Sequence, residues 1–314
     1  MMRRFGNIAK GLKSMRYFLA FLALLASPLA AQTAAVPAPP IVTAPAKDFG
    51  GNGQIAYGSK RNVRALQAMD AFPLSTNGVI ISDIVLDKGR MFATPKKSAA
   101  LTINDVTIER ISANVTKRGI FVRGDSARWT IRDFDIRYVG STDTNDYPMG
   151  IQLGMSATET PHDILIERGY IAGFKNARPS GYPNADGIDC ERGVRNVTIR
   201  DVVIEDITDG AVDCKATNVR LENVTARNVS HRSFRLWGTG TASTLTSVNP
   251  GWAHIWISGN GGSYVIDKLV AIGGGALVQS EKGAKLVIKA CDLTGWTGKV
   301  KNAGGGSVQF GAGC

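Results

Sequence analysis

From residue 101 onward, apolar and polar residues alternate with a period of two, in short bursts that recur along the chain. Each burst reads apolar-x-apolar-x-Asn/Asp-apolar-x-apolar. The copies are LTINDVTI (101–108), WTIRDFDI (129–136), ILIERGYI (164–171), VTIRDVVI (197–204) and VRLENVTA (219–226), with looser copies VIDKLVAI (265–272) and LVIKACDL (286–293). Alternation with period two is the signature of a strand with one buried face. A unit that returns after about 22 residues, as from Ile199 to Leu221, is the signature of a solenoid. The copies are short and β-branched and no helical pattern separates them, which disfavours leucine-rich and helical repeats. The expected architecture is all-β: a single-stranded, right-handed parallel β-helix in which successive coils stack strand upon strand. The Asp/Asn column (Asp105, Asp133, Asp201, Asn223) then falls at the bend after a strand, where short polar side chains bond the turn backbone. These residues are read as structural, and the Asn-x-Ser/Thr matches at Asn114, Asn196, Asn223 and Asn228 as by-products of the same pattern.

A second strand leads each coil: GIFVRG (119–124), GIQLGM (150–155), GIDCER (187–192), GAVDCK (210–215), SFRLWG (233–238), HIWISG (254–259) and GALVQS (275–280). Its inward residues are Ile120/Val122, Ile151/Leu153, Ile188/Cys190, Val212/Cys214, Phe234/Leu236 and Ile255/Ile257. The four cysteines obey the same spacing. Cys190 and Cys214 lie one coil apart and face inward, bonded or merely stacked. Cys291 and Cys314 also lie one coil apart, and a disulfide between them is expected to pin the last coil. At the other end, Val63, Leu66 and Met69 lie three apart and suggest a short helix capping the array.

Composition changes the picture mainly at the N-terminus. Arg3, Arg4, Lys10, Lys13 and Arg16 precede an apolar run from Tyr17 to Leu25 and then small residues. This pattern is a secretory signal over 1–31, and its apolar run is too short to span a bilayer. An Ala/Pro-rich linker follows over 32–46, and the β-helix domain occupies 47–314. The whole chain carries 37 basic and 26 acidic residues, a net +11; without the signal, 32 basic residues remain, a net +6. An exported, monomeric protein is expected, in the periplasm or outside the cell, with no membrane attachment once the signal is removed. The basic residues are scattered, which argues against nucleic acid as a partner. Three histidines without metal-protease spacing, and four cysteines without a Cys-x-x-Cys pair, argue against a zinc enzyme.

The alternate, outward residues of the leading strand carry the chemistry. One row across coils reads Gln152, Asp189, Asp213, Arg235, Trp256; the next reads Gly154, Glu191, Lys215, Trp237, Ser258. Asp186, Asp209 and His231 lie just upstream. Two long insertions, 140–149 and 173–186, run into the same strands. Asp186 and Asp209 each precede a glycine and also fit a turn, and Glu191 with Lys215 fits a plain cross-strand ion pair. Asp189 stacked on Asp213 fits neither reading, because like charges directly opposed are destabilising. A hard divalent cation such as calcium relieves that repulsion. Trp237 and Trp256 suit stacking on sugar rings.

At these residues the chain resembles β-helix enzymes that degrade pectin. Segment 184–238 is similar to a pectate lyase family with D-G-F, D-D-G-W-D and G-F-K-L-G-G elements on successive coils. Here they read Asp186-Gly-Ile-Asp189, Thr208-Asp209-Gly-Ala-Val-Asp213 and Ser233-Phe-Arg235-Leu-Trp237-Gly. The resemblance implies calcium held by Asp186, Asp209 and Asp213 and a base at Arg235; on the residues themselves, Asp189 is a further ligand candidate and Lys215 the reserve base. It also implies an acidic, uronate-containing polysaccharide as substrate, cleaved by β-elimination; Trp237, Trp256 and His231, placed on the same face, are the expected sugar-binding residues. Departures are Thr208 for the first Asp, one extra residue between Asp209 and Asp213, and Arg for Lys. The same stretch also resembles polygalacturonases, with Asp186 and Asp209 as acid and base, although Gly210 replaces one of that family's aspartates and no R-I-K follows. A non-catalytic polysaccharide-binding β-helix is the third expectation.

Overall fold

The computed structural model describes residues 72–74, 77–78, 80–95 and 102–314. The expected signal, linker and capping helix all lie outside them. Among the described residues there is no helix, and the chain forms a parallel β-solenoid of about ten turns. From β4 to β16 long strands alternate with short ones. The long strands are β2 (Ile80–Pro95), β3 (Val106–Val122), β4 (Ala127–Tyr138), β6 (His162–Ala172), β8 (Arg195–Glu205), β10 (Thr217–Arg227), β12 (Thr239–Val248), β14 (Ser263–Gly273) and β16 (Lys285–Trp296). The short ones are β1 (Phe72–Leu74), β5 (Met149–Leu153), β7 (Asp186–Cys190), β9 (Gly210–Cys214), β11 (Arg232–Leu236), β13 (Ala253–Ile257), β15 (Ala276–Ser280), β17 (Asn302–Gly304) and β18 (Ser307–Phe310). Long strands pair in parallel with long ones, as β6 with β8 and β8 with β10. Short strands β5, β7, β9, β11, β13 and β15 stack into a separate face in the same way.

Long strands β3, β4, β6, β8 and β10 each bend where one residue turns left-handed. Arg110, Asp133, Arg168, Asp201 and Asn223 share this column, with φ from 49° to 54°. Asp and Asn tolerate that region better than other non-glycine residues. The side chains also bond coil to coil: Asn223 Nδ2 donates to Asp201 Oδ1 at 2.8 Å. The expected structural column is therefore present, with one correction. Asp105 belongs to the neighbouring column of Arg128, Asp163, Asn196 and Asn218, which opens the long strands with φ from 55° to 61°. The first coil is out of phase with the motif because Val106, not Leu101, pairs with Trp129.

The core is the tube between the two sets of strands. Ile120, Ile151, Ile188, Val212, Phe234 and Ile255 form one fully buried row, and Val122, Leu153, Cys190, Cys214, Leu236 and Ile257 another. Cys190 pairs with Cys214 in register, and both are free thiols. Cys291 and Cys314 are bonded. That bond joins the final turn to β16, where Phe310 and Val308 are only half buried and cover the core weakly.

Candidate active site

The short-strand face is built outward from a corner. A Cβ on Gly187 would meet Ile204 Cγ2 at 2.4 Å, so residue 187 points into the core, as does Ile188 after it. Two consecutive inward positions turn the chain and release Asp186 on the outer side. Asp186 therefore stands beside Gly210, whose N–H donates to its Oδ1 at 2.8 Å. It does not stack with Asp209, which follows Ala185 and precedes His231 in its row. The extra residue between Asp209 and Asp213 is the local cause of this offset.

Beyond the corner the outward row runs Phe121, Gln152, Asp189, Asp213, Arg235, Trp256, Gln279. Asp189 does lie directly on Asp213, and both are buried. Two cations are folded onto them. Lys215 Nζ lies 3.1 Å from Asp189 Oδ1, 3.2 Å from Glu191 Oε1 and 3.8 Å from Asp213 Oδ2. Arg235 Nη1 lies 2.9 Å from Asp213 Oδ2 and donates to Asp209 Oδ2. Gln152 Nε2 donates to Asp189 Oδ2 at 3.2 Å, and Trp237 Nε1 to Asp213 Oδ1 at 2.5 Å. Two buried polar atoms here, Arg235 Nε and Gln152 Oε1, find no hydrogen-bond partner among the described residues.

Five carboxylates (Asp186, Asp189, Glu191, Asp209, Asp213) face two full cations, so the floor is short of positive charge. Burial, then Asp209 and Asp213, push the Asp186 carboxyl well above the usual range. Burial pushes Asp189 up to about 7, with Lys215 holding it back. Burial also raises Asp213, against the pull of Arg235 and Lys215. Burial alone would lower both cations, but the surrounding carboxylates outweigh it and hold Lys215 and Arg235 above their ordinary values.

One oxygen from each of Asp186, Asp189 and Asp213 lies within 4.8 Å of the others. Calcium takes carboxylate oxygens at about 2.3–2.6 Å, so two ligands of one ion stand at most about 5 Å apart. The donor set and its spacing fit such a cation. Asp209 is engaged otherwise: one oxygen faces Arg235, and the other accepts from Tyr182 and lies 3.1 Å from His231 Nδ1.

The aromatic residues are not arranged as expected. Trp256 is only 6% exposed, because Trp237 packs edge-on against it at 4.3 Å and the guanidiniums of Arg232 and Arg235 lie over its ring. The open rings are Trp252, 47% exposed, and Tyr182, 44% exposed. They flank His231, which stacks on Trp252 at 4.0 Å and lies 5.4 Å from Tyr182. Tyr182 and Trp252 sit outside the period-two pattern, so alternation could not find them. For Tyr182 the sequence signal was an aromatic residue on the insertion 173–186; Trp252 lies on neither insertion. Buried Asn176 holds the two insertions together, donating through Nδ2 to the carbonyls of Asp146 and Asn184. Arg178 lies 4.4 Å over the Tyr147 ring.

Compared with known proteins, the chain matches no family model, no curated protein and no solved structure.

Proposed function

We propose that the protein is a polysaccharide lyase acting on an acidic, uronate-containing polymer, with calcium as its metal. The observation that carries this reading is the burial of Asp189 directly on Asp213, with Asp186 beside them and too few cations to neutralise the set. A fold has no need of such a stack, and burying charge is costly even where cations lie beside it. Asp186, Asp189 and Asp213 would hold the calcium. Bound there, it would supply positive charge for a uronate carboxylate and draw Asp189 and Asp213 away from Lys215. Lys215 is the better base, because an ammonium sheds its proton far more readily than a guanidinium. Arg235 stays charged, and its free Nε–H suits a carboxylate or the enolate that forms from it. In the reaction the C5 proton passes to the neutral amine of Lys215, the C–H electron pair becomes the C4–C5 double bond, and the C4–O bond breaks with its electron pair on the departing oxygen, which is then protonated. Trp252 and Tyr182, the open rings, suit sugar stacking.

A second reading has one observation in its favour. Asp186 is buried and its carboxyl is held towards the neutral form, as a hydrolase acid requires. Pectate, alginate and glycosaminoglycans, each with calcium and then with chelator, separate the two. The lyase gives ultraviolet-absorbing unsaturated uronate that chelator abolishes. New reducing ends without unsaturation identify the hydrolase, and polymer binding without either product identifies a binding protein.

A further inference from the structure

Tyr182 enters the site from the insertion before β7, not from a strand. Its ring is open to solvent, yet its hydroxyl reaches the floor. It donates to Asp209 Oδ1 at 2.7 Å and lies 3.0 Å from His231 Nδ1. Asp209 is fully buried, and its second oxygen takes Arg235. One carboxylate therefore holds a phenol on one side and a catalytic cation on the other. The loop is braced for this, with Arg178 Nη1 donating to the Tyr182 carbonyl at 3.1 Å and Arg178 N to Asn176 Oδ1 at 2.8 Å.

Resting on the lyase reading above, we propose that Tyr182 protonates the departing C4 oxygen. The substrate is then a polymer whose uronate carries C5–H and C4–O on the same face of the ring. Elimination needs a proton acceptor at C5 and a donor at the C4 oxygen. Lys215 and Arg235 both stand on the floor of the short-strand face, and the Tyr182 hydroxyl is pinned to that floor through Asp209. Acceptor and donor thus approach from one side, and only a syn elimination uses both. Glucuronate and mannuronate residues present C5–H and C4–O on one face; galacturonate and guluronate residues present them on opposite faces. The phenol gives its proton to the oxygen as the C4–O bond breaks, the C5 proton goes to the base, and solvent restores both groups. Burial and the Asp209 carboxylate push the Tyr182 hydroxyl up to about 12, which keeps it protonated beforehand. His231 Nδ1 lies within hydrogen-bonding reach of the phenolate left behind.

The test is ultraviolet-detected product from the calcium-supplemented protein on four polymers: polymannuronate, glucuronan, polygalacturonate and polyguluronate. The expected result is product from one or both of the first pair, with little from the second. Tyr182→Phe, which keeps the ring, should lower kcat about 100-fold or more with KM within about threefold, the size of a lost general acid. Comparable or faster product from the second pair overturns the inference and leaves the lyase standing, as does a Tyr182→Phe protein within about threefold of wild type. Absence of unsaturated product from all four, with and without calcium, overturns the lyase reading and this inference with it.

Discussion

Two outward rows of the same solenoid treat charge in opposite ways. On the long strands, Glu109, Arg132, Glu167, Arg200 and Glu222 stack in register with signs strictly alternating. Arg132 Nη2 lies 2.5 Å from Glu109, and Arg200 Nη2 lies 2.5 Å from Glu167. On the short strands, Asp189 stacks on Asp213 with no cation between them; Arg235 follows in the same row on the next coil, and Lys215 reaches in from the neighbouring row. Both rows repeat at one residue per coil, so both face the same electrostatic constraint. Alternation solves it for the first row, where Glu109 and Glu167 each take an arginine from the same row. The second row violates it although Asp189 and Asp213 are as buried as Glu167 in the first. Repeat proteins solve a packing problem once and copy the answer, so a coil that departs from the local rule marks something other than packing.

The largest effect should come from removing the base. Lys215→Ala should reduce kcat on the preferred polymer by about three orders of magnitude or more, the upper part of the range for acid–base catalysis. Circular dichroism should be unchanged, because the core behind Lys215 is apolar and complete. Glu167→Gln, on the alternating row, should leave kcat unaltered. Equal losses from the two substitutions would erase the distinction between the rows.

The next effect is on stability and has the opposite sign from the usual active-site change. Asp189→Asn removes one of two stacked carboxylates, so in chelator at pH 8 it should raise the unfolding temperature. Asp189 is pushed up to about 7 in the folded chain. The unfolded chain holds it near its ordinary value, so between about pH 4 and 7 the folded state binds the extra proton. The contribution of Asp189 to stability is therefore fully present below about pH 4 and is lost as pH rises through 7, by an amount on the order of 4 kcal/mol for three pKa units. The difference between wild type and Asp189→Asn should fade at acid pH. Calcium should restore the wild type at pH 8 far more than the variant. A drop in stability for Asp189→Asn at pH 8 would show that the stack carries no strain.

Most of the solenoid was legible because its information is periodic. Inward residues such as Ile188, Val212 and Phe234 recur every coil, and the cysteine spacings follow the same beat. The Asp189–Asp213 stack could be read off for that reason too. What escaped was aperiodic. The phase of the first coil escaped because LTINDVTI imitates the motif one strand early, which misplaced Asp105. The corner at Gly187 puts two consecutive residues inward, which simple alternation cannot express, so the place of Asp186 beside Gly210 had no signal in the pattern. The burial of Trp256 depends on Trp237 and two arginines from other positions closing over it, a matter of packing and not of spacing. Tyr182 lies on an insertion with no repeat to place it, although its hydroxyl ends beside one of the most buried carboxylates in the chain.

The smallest expected effect is on the column where the long strands open. Arg128 Nε lies 2.6 Å from Asp105 Oδ1, and Nη2 donates to Oδ2 at 2.9 Å, a two-point pair of good geometry. Both side chains are more than half exposed, however, so water already solvates what the pair would gain. The burial of the neighbouring backbone does not depend on the pair either: Asp105 N donates to the Ala127 carbonyl in the coil ladder with or without it. Arg128 does have a left-handed backbone, with φ at 57°, and that is the part of the site with consequences. Arg128→Ala should leave the unfolding temperature nearly unchanged, because it removes the ion pair and keeps a residue with a Cβ. Arg128→Asn should raise it slightly, because asparagine accepts this backbone more readily and can join the side-chain ladder that Asn196 and Asn218 already form with Asp163. A clear loss in Arg128→Ala would mean that surface pairs hold the coils together, and the contrast between the two charged rows would then be one of degree.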